Sequence, residues 1–154
     1  MAVQADSTGL RLREALQTGG HRFTEQRAAV YRYLAGTDVH PTADEVHSAV
    51  RRDLPGISLA TVYKSLETLV GCGLAVKLTY SDASARYDGR TDPHHHARCI
   101  ACGSVTDIPG EIPAREIAAL HSRCDGFTIT AYRLELSGYC SGCLPDSGRR
   151  PALA

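Results

Sequence analysis

The stretch RYDGRTDPHHHARCIACGSVTD, residues 86–107, sets an aspartate near each end, three consecutive histidines and a Cys-x-x-Cys within 22 residues. Packing needs none of these residue types, whereas metal binding uses all of them. The cysteine pattern is the more specific. Cys99 and Cys102 form one pair and Cys140 and Cys143 a second. Four thiolates match a tetrahedral zinc ion with no open position. The 37 residues between the pairs exceed the loop of an ordinary zinc ribbon, so such a zinc ion would tie the start of a small domain to its end. A thioredoxin-like redox role fits less well, because neither pair precedes a helix in a βαβ pattern.

The histidines and aspartates form a different set. His94 and His96 are two apart, so on an extended segment both point the same way while His95 points opposite. Asp88 lies six residues before His94, and Asp107 eleven after His96, on the next predicted strand. Nitrogen and oxygen donors without sulfur suit Fe2+, Mn2+ or Zn2+ and turn the preference away from a structural zinc site. Three histidines alone also read as a solvated polar loop. The flanking aspartates and the neighbouring zinc staple favour a second metal site.

The rest of the chain must position these groups. Its 154 residues, 43% hydrophobic and 22% charged, have ordinary globular composition and fill one domain or two small ones. Net charge is zero, and residues 1–80 hold nine Lys/Arg against eight Asp/Glu. A DNA-binding face must therefore come from local arrangement, or from doubling it in a dimer. No apolar run approaches the roughly 20 residues that span a bilayer. The N-terminus MAVQADSTGLRLREALQ lacks a basic cluster followed by an apolar core, so a cytoplasmic location with no membrane partner is expected. In such a reducing compartment the six cysteines are metal ligands sooner than disulfides.

The first half reads as short helices. Residues 8–18 carry Leu10, Leu12, Ala15 and Leu16 and stop at Gly19-Gly20; Thr24 caps a second helix with Ala29, Val30, Tyr33 and Leu34. Thr42 and Glu45 form a capping box that opens a third, with Val46, Ala49 and Val50 inward. Ser58 caps a fourth, with Leu59, Val62, Leu66, Leu69 and Val70 on one face and Thr61, Tyr63, Lys64 and Ser65 on the solvent face. Two β-prone runs, LAVKLTY and ARYDG, then flank the turn SDAS. Helices followed by a hairpin suggest an α+β chain that opens with a winged helix-turn-helix domain (residues 1–84), whose last helix would enter the major groove of double-stranded DNA; a helical bundle with an amphipathic surface helix fits the same pattern. A hinge over 85–92 leads to a small α/β domain (93–154) that needs a staple, here zinc, or a partner. In this domain SVTDI and FTITAYRLELSGY are strands, with a bulge near Tyr132, and PAREIAALHSRC is a helix. Cys72 and Cys124 read as buried structural thiols, His121 as a core or interface residue, and His21 and His47 as surface residues.

The matching stretches RFTEQR, HPTADEVHSAV, ISLATVYKSLETL, YSDASARYD, HHHARCIACG, VTDI and RLELSGYCSGC together resemble the ferric uptake regulator family of metal-sensing bacterial repressors over nearly the whole chain. Within it the chain is most similar to the peroxide-sensing branch. That resemblance implies a regulatory Fe2+ or Mn2+ site at His40, Asp88, His94, His96 and Asp107, and a structural zinc at Cys99, Cys102, Cys140 and Cys143. His40 enters through the resemblance alone. DNA contacts carry over to Arg22 and Tyr63, with Lys64 as a phosphate contact, and aspartate at both 88 and 107 is what peroxide sensors resemble. Tyr132, where iron sensors often carry histidine, argues against a third metal. The implied protein is a homodimeric repressor on inverted-repeat operators, not an enzyme, with the zinc-stapled α/β domain (93–154) as its dimerisation domain. It is released when iron chemistry oxidises His40 or His94 to 2-oxo-histidine. Rival readings are an iron- or manganese-responsive regulator that tolerates peroxide, a metal-dependent hydrolase using His94, His96 and Asp107, and a structural zinc protein that binds a partner protein.

Overall fold

A computed structural model describes residues 2–80, 83–110, 115, 119–120, 125–130 and 134–144, with the side chains of 2–6 and 83 set aside. The chain divides into two compact units, Met1–Asp92 and Pro93–Ala154.

The first unit is helical with a wing: α1 (Ala2–Thr18), α2 (Glu25–Ala35), α3 (Ala43–Val50), α4 (Leu59–Gly71), β1 (Val76–Tyr80) and β2 (Ala83–Asp88). Each predicted cap is made. Thr24 and Ser58 accept the backbone N–H groups of Arg27 and Thr61, and Thr42 and Glu45 close a reciprocal box. These caps fix where each helix starts, and so which face meets the core. Leu12, Leu16, Val30, Leu34, Val46, Val62, Leu66 and Leu69 fill that core. In α2 the tyrosine that goes inside is Tyr31, with Tyr33 only partly buried. Ser65 is buried, not on the solvent face; its hydroxyl turns back to donate to the Thr61 carbonyl at 2.8 Å, which removes the cost of burying it. His47 is likewise not a plain surface residue: Nε2 donates to the Ile57 carbonyl at 3.0 Å.

The wing is antiparallel, with Val76 opposite Asp88 and Leu78 opposite Arg86. Tyr87 points from it into the core and donates to Glu67 of α4, which also holds Lys77 of β1 at 2.7 Å. Burial, and then the adjacent Glu67 carboxylate, push the Tyr87 phenol above its ordinary pKa. Within the span expected as a hinge, residues 85–88 belong to β2, whose backbone pairs with β1 on one side and, at Arg86, with Thr42 on the other.

The second unit holds a three-stranded sheet of β3 (His95–Cys99), β4 (Val105–Ile108) and β5 (Leu136–Gly138) in the order β4-β3-β5. β3 pairs antiparallel with β4 and parallel with β5. The long strand expected over 127–139 contracts to Leu136–Gly138 among the described residues. Residues 127–130 belong to none of the named strands, and Phe127 is 66% exposed. Arg115, Ala119 and Leu120 are helical as expected, while the rest of the predicted helix over 113–124, with His121 and Cys124, lies outside the described residues, as does Tyr132. No described helix is long and apolar enough to cross a membrane.

Candidate metal centres

In the second unit the turn between β3 and β4 is tight: Cys99 donates to the Ser104 carbonyl and Gly103 to the Cys99 carbonyl, with Gly103 at φ 71°, where a side chain would be strained. β5 delivers the other cysteine pair beside it. The Cys140 N–H points at the Cys99 sulfur at 3.4 Å, and the Cys143 and Leu144 N–H groups close a turn on the Cys140 carbonyl. One sulfur from each of Cys99, Cys102, Cys140 and Cys143 lies within 4.8 Å of all the others. The Cys102 and Cys140 sulfurs are 3.8 Å apart, and a tetrahedral ion with bonds of about 2.3 Å sets its sulfurs about 3.8 Å from one another. The donor set therefore fits zinc.

Electrostatics point the same way. The backbone N–H of Cys102, and then that of Cys140, hold the Cys99 thiol down at about 6. Hydrogen bonds from Ser104 lower Cys102. Cys143 is pushed up to about 12, first by Cys140 and then by Cys102. Crowded thiols cannot all ionise alone, and a dication lets them do so together. Cys72 stands apart in the first unit, packed half-buried against the core with Gly19 beside its sulfur.

The same sheet carries a second donor set. Its register places His96 directly opposite Asp107, so both side chains share a face, and His94 joins them two residues upstream. His94 Nε2 and His96 Nε2 lie 3.3 and 3.7 Å from Asp107 Oδ1, with the two imidazoles meeting edge to face at 4.4 Å. His95 falls on the other face of the strand.

In the first unit His40 and Asp88 are nearly sealed from solvent, at 3% and 6% exposure, with Nε2 and Oδ2 3.6 Å apart. Two donors about 2.1 Å from one ion are about 3.0 Å apart at a right angle and about 3.6 Å apart at 120°. Both sets therefore have the spacing of ligands flanking a metal, and neither includes sulfur. His40 reaches β2 because residues 40–42 lie along it: the Tyr87 N–H donates to the Pro41 carbonyl at 2.9 Å and Thr42 bridges Arg86. Asp88 Oδ1 accepts the Arg90 N–H, leaving Oδ2 toward His40. Gly89 allows this corner, since a Cβ there would fall on the backbone carbonyl of Leu34.

Of the residues expected to meet DNA, Tyr63 and Lys64 on α4 and Arg22 ahead of α2 are exposed. Thr61 is half-buried, its hydroxyl sharing a 2.8 Å hydrogen bond with Ser58. The residue that sequence reasoning missed is Arg86, whose guanidinium reaches the His40 carbonyl; only its place two residues before Asp88 could have drawn attention to it.

A winged helical unit and a thiol-stapled sheet, both carrying histidine–aspartate donors, define a metal-dependent DNA-binding regulator. The ferric uptake regulator family model matches residues 18–137, and the chain belongs to that family. Among its relatives is the peroxide-responsive repressor PerR of Staphylococcus aureus, 38% identical over 147 residues, or 93% of this chain and 98% of that protein. The crystal structure of the Campylobacter jejuni peroxide stress regulator aligns with a TM-score of 0.61 at 27% identity, covering 86% of this chain and 96% of that one. The ferric uptake regulator of Helicobacter pylori shares the fold, with a TM-score of 0.76 at 22% identity over 90% of this chain and 93% of its own.

Proposed function

We propose that this chain is a peroxide-sensing repressor that binds inverted-repeat DNA as a homodimer. The observation that carries the reading is the pair of sulfur-free donor sets, His40 with Asp88 and His94 with His96 and Asp107, in a chain similar along nearly its whole length to a peroxide-responsive repressor. On this reading the five residues hold one Fe2+ or Mn2+ ion, while Cys99, Cys102, Cys140 and Cys143 hold structural zinc. Two carboxylates neutralise the ion's charge, and neutral imidazoles complete a donor set of the kind that divalent iron and manganese accept.

His40 gives the ion its leverage, because it comes from the loop that leads into α3 of the winged unit. A ligand shifts a conformational equilibrium only by its differential affinity, and donors from both units supply that difference. Tyr63, Lys64, Thr61 and Arg22 then meet the operator, Tyr63 from the recognition helix and Lys64 at a phosphate. Exposed Ile100, Phe127, Leu134 and Tyr139 in the second unit support a dimer interface there, and a two-fold dimer requires an inverted repeat.

Fe2+ held by these residues would supply the redox chemistry that cleaves the O–O bond of hydrogen peroxide. One peroxide oxygen would leave as water and the other would enter the imidazole of His40 or His94, the histidine giving up the two electrons and becoming 2-oxo-histidine. That residue would be a poorer ligand, and the repressor would leave its operator. Peptide mass spectrometry of protein loaded anaerobically with Fe2+, with and without a brief peroxide pulse, tests this. One added oxygen on the peptide carrying His40 or His94, absent with Mn2+, is expected. Unmodified histidines in protein still bound to DNA would instead make it an iron- or manganese-responsive regulator.

A further inference from the structure

We propose that Arg86 is the positioning residue of the regulatory ion: it sets the ion's affinity through His40 without touching the ion. The proposal rests on the function read above. His40 lies in no helix or strand, so its place must be set by other contacts. Arg86 Nη1 donates to the His40 carbonyl at 2.7 Å and to Glu45 Oε2 at 3.2 Å. Glu45 is itself fixed, because the same oxygen accepts the Thr42 N–H at 2.7 Å in the capping box of α3. The Arg86 side chain is only 19% exposed, so this clamp is partly shielded from water.

Strand parity explains why this arginine can serve. Arg86 and Asp88 are two apart on β2 and share a face, while Tyr87 points the other way into the core. One strand face thus holds both ends of His40, its carbonyl through Arg86 and its imidazole 3.6 Å from Asp88. The bond spans 46 residues of sequence and ties the start of α3 to the wing. Groups that orient a ligand, though they never meet the metal, typically change its affinity by about 10- to 100-fold. A planar guanidinium holds two acceptors in a fixed geometry that an ammonium does not reproduce.

The test compares Mn2+ binding to the zinc-loaded full chain, read from the paramagnetic signal of free Mn2+, for wild type, Arg86→Met, Arg86→Lys and His40→Ala. Arg86→Met should raise the Mn2+ Kd by about 10- to 100-fold. Zinc content and helical circular dichroism should stay unchanged, and operator binding should recover at saturating Mn2+. Arg86→Lys should regain part of the loss. A merely structural role would lower maximal DNA binding or the metal-free melting temperature and leave the Mn2+ midpoint in place. Wild-type Mn2+ affinity in Arg86→Met, with His40→Ala impaired, overturns the proposal alone. Wild-type affinity in His40→Ala overturns the five-ligand reading beneath it. Should Arg86→Met fail to fold, Arg86→Lys decides: unchanged affinity in the folded Lys variant overturns the proposal.

Discussion

Up to Asp92 the chain buries a continuous apolar core that runs from Leu12 on α1 to Tyr87 on β2. From Pro93 on, the described residues bury only Cys99 and Val105, and Ile100, Leu120, Phe127, Leu134, Tyr139 and Leu144 stay exposed. The first unit is therefore held by excluding water from side chains that its caps and helical spacing aim inward. The described residues of the second bury little apolar surface, and four thiols gather there instead. A domain as small as this second unit needs a covalent, metal or subunit staple. The division also separates what each part can do. A packed helical unit presents α4 rigidly, whereas a sheet with a thiol cluster at its end places histidine and aspartate donors on one face.

The largest test of that contrast is to remove the staple. Cys102→Ser, or zinc removal by a strong chelator, should unfold the second unit while leaving the first intact, since none of the four cysteines lies before Asp92. Amide hydrogen exchange should then show protection lost over β3, β4 and β5 and kept over α2 and α4. Equal loss in both units would mean that the sheet also supports the helices. The converse change is Leu66→Ala on α4, where the side chain is fully buried. It should destabilise the first unit by about 2–5 kcal/mol. Zinc content should be unaffected, which a metal assay on the variant would check.

A finer cut falls where the first unit hands over to the second. Gly89→Ala places a methyl group on the Leu34 carbonyl, a backbone atom that cannot swing aside. Overpacking of this kind costs about 1–3 kcal/mol. Because Asp88 is the next residue, the variant should also bind Mn2+ more weakly. Weaker Mn2+ binding with an unchanged denaturant midpoint would show that the corner serves the ligand and not the fold.

How much of this could be read beforehand follows from the range of the forces involved. Caps are local, so Thr24, Thr42 with Glu45, and Ser58 were legible, and with them the helices they start. Parity is local too, so the shared face of His94 and His96 was legible. The partnership of His96 with Asp107 needed the β3–β4 register, which the short turn at Gly103 sets. His40 was not legible from spacing, because its place depends on Arg86 and Tyr87, far along the chain. Ser65 misled because a serine hydroxyl can satisfy itself on its own helix. Alternating apolar residues over 127–139 record a preference for a sheet face but do not mark where a strand begins, and among the described residues it is Leu136–Gly138 that pair with β3.

The smallest effect tests whether polar ties matter inside the unit that packing holds. Glu67 on α4 accepts from Lys77 at 2.7 Å and from Tyr87 at 3.1 Å, joining α4 to both wing strands. The Lys77 hydrogen bond chiefly holds its carboxyl below the ordinary 4.5, against the upward push of burial, with Tyr87 and the Lys77 charge adding to the lowering. A depressed folded value means that the folded state favours the charged carboxylate. The contribution is thus fully present above about 4.5 and is lost as pH falls through the lower folded value. Half of the Glu67 side chain is exposed, so solvent screening keeps the tie within about 1 kcal/mol. Glu67→Gln should accordingly lower the denaturant midpoint of the helical signal slightly at pH 7, and the gap to wild type should close in acid. A gap that persists in acid would show that the loss does not come from the charged Lys77 tie, since the Tyr87 hydrogen bond, which a neutral amide or carboxyl can still accept, is kept in both proteins.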